Sequence, residues 1–222
     1  MELTEKISAG AHHYRAFVGP ADKYDLVGAT QFNLLTFLGL REHHYLLDIG
    51  CGSLRAGRLL IPYLQSEHYC SVESNSWLID KGIQNECGAE QIALKKPQFD
   101  NNSDFVSTVF KRRFDYILAH SIFTHAGQTQ ICKCFSETLK VMKPNTIFIT
   151  TFMKGDQDYE GDEWVYPGVI TYKTSTMQDL TKSFGLYSQP ITWPHPNKHT
   201  WLLISPDRKN TPAFLRSSIH LE

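Results

Sequence analysis

Hydrophobic positions recur along the chain in two rhythms. In residues 30–40, Phe32, Leu34, Leu35, Phe37, Leu38 and Leu40 form a wide apolar face closed by Gly39, the spacing of a helix whose side chains three and four apart share one side. Short apolar runs of strand length then alternate with helical stretches. Residues 45–49, 68–72, 114–119 and 146–152 predict strands. Between them, 54–61 predicts a helix ended or kinked by Pro62, 76 to about 86 a helix capped by Ser76, and 128–142 a helix stopped by Lys143-Pro144-Asn145. Residues 91–110 are the least periodic; they predict a short strand near 92–94 or Phe99, then a loop and a helix.

Alternation of strand and helix predicts a doubly wound α/β fold, because parallel neighbours need a crossover long enough for a helix. The tail breaks the rhythm. After a helix over 175–184, two strands at 186–192 and 200–205 are joined by the Pro-containing turn 193–199, too short for a crossover, so the mostly parallel sheet ends in an antiparallel hairpin.

Length and composition narrow the class. A chain of 222 residues, 41% hydrophobic, can bury one sizeable core and is expected to be a single domain over 1–222, with a helical lead-in over 1–43. Lys and Arg number 22 against 23 Asp and Glu, so no broad basic field favours a nucleic-acid partner. No run resembles a membrane span or the apolar core of a signal peptide within residues 1–10, and a cytoplasmic location is expected. The five cysteines lack the paired spacing of a zinc site or a disulfide framework, and reduced thiols are expected. Leu221 and Glu222 read as a vector remnant.

The most informative segment is Asp48-Ile49-Gly50-Cys51-Gly52-Ser53, an apolar strand running into two glycines and then a helix. Glycines there allow a sharp turn and the close approach of a ligand to backbone amides, which implies a nucleotide-sized ligand. A dinucleotide fingerprint is disfavoured, since Arg55 stands where its third glycine would fall and Gly57 comes two residues late.

Asp48 to Gly52 resembles the first motif of class I S-adenosylmethionine (SAM)-dependent methyltransferases. Glu73 follows at the end of the second predicted strand, Phe114-Asp115-Tyr116-Ile117-Leu118-Ala119 is similar to the family's fourth-strand motif, and residues 139–144 with the strand after them are similar to its fifth-strand region. The resemblance spans roughly 28–205. It implies a Rossmann-like methyltransferase fold with a seven-stranded sheet, SAM as cofactor and S-adenosylhomocysteine (SAH) as its product. It also implies a cofactor site at Asp48, Gly50, Cys51, Gly52, Ser53, Ser74, Asn75 and Ala119, with Glu73 at the ribose hydroxyls. Asp104 and Phe105 would meet adenine, and Gln31 would belong to a lead-in helix over the cofactor. Asp48 orients the glycine loop or merely caps the next helix; Arg55 pairs with the SAM carboxylate or is simply solvated. Both alternatives stay open.

Methyl transfer from a sulfonium gains most from positioning, and a base is needed only when the acceptor must lose a proton. His120, directly after the fourth strand, and His125, a turn later, are the expected bases. His195 and His199 are expected to be exposed, and with no third ligand they suggest no metal site; His12, His13, His43 and His44 are expected on the surface. Residues 152–172 form a long connection carrying Tyr159, Trp164 and Tyr166 among acidic residues, expected to be an acceptor wall or lid that binds substrate. The expected function is methyl transfer to a small-molecule or short-peptide acceptor, most readily at a hydroxyl or carboxylate oxygen. The alternative is a SAM-binding regulator or scaffold without turnover.

Overall fold

The computed structural model describes residues 7–216; Leu221, Glu222 and the first six residues of the 1–10 segment lie outside them. A helix, α1 (Tyr24–Phe37), leads into β1 (Leu46–Ile49). There follow α2 (Gly57–Tyr63), β2 (Tyr69–Val72), α3 (Ser76–Gly82), α4 (Ala89–Lys95), β3 (Gln98–Asp100) and β4 (Phe114–Ala119). The second half comprises α5 (Gln128–Leu139), β5 (Met142–Lys154), β6 (Thr171–Tyr172), α6 (Thr174–Ser183), β7 (Tyr187–Ile191), β8 (Thr200–Ser205) and a short α7 (Ala213–Arg216).

Seven strands run in the order β3-β2-β1-β4-β5-β8-β7, with two-residue β6 paired to the end of β5. β1 to β5 are parallel, whereas β8 pairs antiparallel with both β5 and β7. The doubly wound sheet and its closing hairpin are therefore as expected.

Strand alternation splits the core between the two faces of the sheet. Leu47, Ile49, Ile117, Ala119, Phe148, Leu202 and Ile204 pack with Phe123 and Phe135 on one face. Leu46, Tyr116, Leu118, Ile147, Ile149, Trp201 and Leu203 pack with Leu34, Leu35, Leu54 and Leu60 on the other.

Several boundaries differ from the sequence reading. α1 begins at Tyr24, not near Thr30, because Tyr24, Val27 and Gly28 continue the buried face toward the N-terminus. α2 begins only at Gly57, since Gly50, Gly52 and Leu54 all hold positive φ and keep residues 50–56 in a turn. Leu54, at φ 61 and fully buried, holds a conformation costly for a large side chain. Pro62 stands within the last turn of α2, and the helix ends one residue later. Ser76 does not cap α3: Asn75 holds the N-cap position, and its side chain donates to Glu73 instead. Residues 92–94 lie in α4, so the third strand is the one at Phe99, and 108–110 form only one 3₁₀ turn. α5 stops at Leu139 because β5 already starts at Met142, across a register shift against β4.

Candidate functional site

The carboxyl ends of the parallel strands point to one edge, and β1 and β4 are neighbours whose onward connections leave in opposite directions. Open α/β sheets leave a crevice at such a switch point. Here it is a cavity of about 1050 Å³.

The glycine turn forms its floor. Gly50 has φ +70 and Gly52 φ +56, and an added Cβ would lie 2.2 Å from Ile122 Cδ1 or 2.5 Å from Val18 Cγ1. These positions thus need glycine for conformation, and a side chain there would also displace Ile122 or Val18. The buried Glu73 fixes the turn from the end of β2: its Oε2 accepts from Gly52 N at 2.9 Å, and its Oε1 from Asn75 N at 2.8 Å. Asp48 lies below, accepting from the Tyr69 hydroxyl at 2.7 Å. Burial pushes the Asp48 carboxyl up to about 7, against the Tyr69 bond and the Arg55 charge. It caps no helix.

Arg55 is buried, not solvated. Its guanidinium donates to Val18 O and, at 3.0 Å, to His120 Nδ1, while Nε has no partner. No carboxylate among the described residues lies within ion-pairing distance of it. Burial lowers it to about 10. Gln31, also buried, lines the same cavity with Oε1 unpartnered. Both orphaned atoms belong to side chains bordering the cavity, where a polar ligand would satisfy them.

Ser74, Asn75, Asp104 and Phe105 line the cavity with Cys51, although Asp104 is exposed and ion-pairs with Lys133. Three expected site residues are misplaced. Ser53 turns beneath the glycine loop, its hydroxyl 3.2 Å from that of Tyr24. Ala119 is fully buried in the core, because strand alternation gives the cavity to His120 and the core to its neighbour. Tyr159 packs against the core beneath the long loop and does not line the cavity.

The histidines are rearranged most. His195 and His199 are half-buried rather than exposed, and His120 supplies the third imidazole that the sequence did not reveal. One nitrogen from each lies within 4.8 Å of the others. Burial, Arg55 and mutual repulsion hold His120 well below the usual histidine range, and burial lowers His195 to about 3 and His199 to about 4. His125 differs in its partners. Its Nδ1 donates to Gly168 O at 2.7 Å, which leaves Nε2 with the lone pair in the cavity wall. Of the surface pairs, His12 and His43 are exposed but His13 and His44 are half-buried.

The long loop is pinned across the site. Val165 N donates to His125 O and Ile170 N to Thr124 O, which sets Trp164 and Tyr166 at the cavity beside His125. Missed entirely by the sequence reading is a strap from the N-terminal segment. Val18 covers Gly52, Phe17 packs between Trp77 and Tyr166, and the Tyr166 hydroxyl donates to Phe17 O. No periodicity marks this strap, because it contacts the cavity through loops.

No protein-family model and no curated protein matches the sequence. Solved structures match the fold. An S-adenosylmethionine-dependent methyltransferase from Clostridium acetobutylicum is 14% identical, with TM-score 0.59 over 82% of this chain and 91% of that one. The magnesium protoporphyrin IX methyltransferase ChlM from Synechocystis, with bound SAH, is 13% identical, with TM-score 0.60 over 85% and 86%. The glycopeptide N-methyltransferase MtfA, complexed with SAH, is 11% identical, with TM-score 0.58 over 82% and 90%. At such identities the likeness is one of fold: a Rossmann-like methyltransferase fold.

Proposed function

We propose that this chain binds SAM and transfers its methyl group to an oxygen of a small-molecule or short-peptide acceptor. The carrying observation is the glycine turn at the cavity floor, with positive φ at Gly50 and Gly52 and held from the end of β2 by Glu73. Those residues fit the cofactor: the glycine turn lets it approach the backbone with no side chain in the way, and Glu73 Oε2, which among the described residues accepts only from Gly52 N, would accept from a ribose hydroxyl. Asp104 and Phe105 border the adenine end. Arg55 and Gln31 offer a donor and an acceptor, both unpartnered, to its carboxylate and ammonium groups, with Asp48 beneath them.

SAM supplies an activated methyl group, so the chain's own work is to hold the acceptor in line with it. Trp164 and Tyr166 form the acceptor wall. His125 is the base for a hydroxyl acceptor: Gly168 O fixes its tautomer and Nε2 is left to take the proton. His120 does not serve in this way, because Arg55 donates to its Nδ1 and its proton therefore sits on Nε2.

Calorimetry with SAH tests the reading. Glu73→Ala should weaken binding by about 1.5 to 3 kcal/mol, roughly ten- to a hundredfold, the range for hydrogen bonds to a charged group. Unchanged affinity would contradict it.

A further inference from the structure

The Nε2 atoms of His120 and His195 stand 2.8 Å apart, and the partners of the opposite nitrogens decide what that contact is. His120 Nδ1 faces Arg55 Nη2 at 3.0 Å. His195 Nδ1 faces the amides of Asn197 at 3.0 Å and His199 at 3.3 Å. Guanidinium and amide groups only donate, so both Nδ1 atoms accept and each neutral ring carries its proton on Nε2. Two N–H groups therefore point at each other where only one hydrogen fits. A small rotation that parts the rings creates a place for an acceptor atom bonded by both.

Charge identifies that atom. The nearest fixed charge is Arg55, buried and without a carboxylate within ion-pairing distance among the described residues. The SAM carboxylate would offset it, but the ammonium and sulfonium of the same molecule would keep the site positive, and Lys23 Nζ reaches Pro196 O in the same turn. A metal ion is disfavoured by the same facts: it needs Nε2 lone pairs, and here those nitrogens hold protons beside a guanidinium. Farther along the cavity the lining turns apolar, with Ile122, Met153, Trp164 and Val169.

We infer that the methyl acceptor is an organic anion whose carboxylate or phosphate oxygen docks on the Nε2–H groups of His120 and His195, with its apolar body toward Trp164 and Val169. The inference rests on the methyltransferase reading for the word acceptor, and on the imidazole geometry with the Arg55 and Lys23 charges beside it for the anion. Arg55 is a positioning residue in it, since its N–H fixes the tautomer of His120. His125 stays free to deprotonate a hydroxyl elsewhere on the same molecule.

The test is NMR of labelled histidine ring nitrogens in the full chain, with and without SAH, titrated separately with benzoate, phenyl phosphate and benzamide. Before titration, His120 and His195 should both show the Nε2–H tautomer. Benzoate or phenyl phosphate should then shift both Nε2 signals while benzamide does not, and the tighter of the two anions assigns carboxylate or phosphate. His195→Phe should weaken that anion at least tenfold and leave SAH affinity within twofold. If the variant does not fold, the wild-type titration decides by itself. The inference is overturned if neither anion shifts these signals, if benzamide shifts them equally, or if zinc displaces the Nε2 protons. Failure of SAH to bind would contradict the methyltransferase reading, while the anion titration without SAH still decides this one.

Discussion

Buried ionisable side chains act on stability in two opposite directions. Asp48 is held up at about 7, against roughly 3.9 in an unfolded chain, so the folded state keeps a proton that the unfolded state loses. Its contribution falls as pH rises from about 4 to 7. His120, His195 and His199 are depressed, the latter two to about 3 and about 4, against roughly 6.5 unfolded. Their stability is complete above that value and is lost as pH falls, because the unfolded state takes up protons first. Between about pH 4.5 and 6, unfolding thus binds up to about three protons on these three histidines and releases about one from Asp48, while His44 and His125, also lowered by burial, add to the uptake. From the three histidines and Asp48, stability should rise with pH by up to about 3 kcal/mol per unit. Thermal midpoints over this window should climb less steeply in His195→Gln, by about one proton; parallel curves would contradict the burial account. The glycines and Glu73 are legible from sequence because strand ends and turns place them within one local unit. The His120–His195 contact is not, since 75 residues separate the partners and only the antiparallel return of β8 brings the turn back.

Strands with continuous apolar runs are read from sequence nearly to the residue, as β4 and β8 show. Element ends set by unusual backbone are not. The start of α2 depends on the positive φ of Leu54, which no hydrophobic pattern encodes, and the start of β5 depends on its register shift. The loop 155–170 was visible only as a long aromatic and acidic connection. Its acidic residues prove partly structural: Asp158 accepts from Lys173 N and from the Thr176 hydroxyl at the start of α6. Its aromatics divide. Trp164, 43% exposed, touches the cavity without bonding the strap, whereas Tyr166 joins the strap through Phe17. Trp164→Ala should therefore raise the acceptor KM with little change in SAM affinity. Tyr166→Phe should also weaken SAM, by about 0.5 to 1.5 kcal/mol, the net worth of one hydrogen bond. Kinetics beside calorimetry checks this, and equal SAM losses in both variants would remove the division of labour.

Across the whole molecule, the proposed function divides two binding tasks between the halves of the sheet. The β1–β2–β3 half presents the glycine turn, Glu73 and the residues after β3, while β4, β5 and the β7–β8 turn present the histidines and the aromatic wall. The strap and the long loop meet above both halves, so a cofactor in the first half and an acceptor in the second would be enclosed together. The fold has methyltransferase counterparts among solved structures. The most direct test of the account is incubation of the protein with methyl-labelled SAM and a fractionated small-molecule and peptide extract. The account predicts label in an anionic small-molecule or short-peptide fraction as an O-methyl group, formed only with intact protein. Tight SAM binding with no label transferred to any fraction would contradict it.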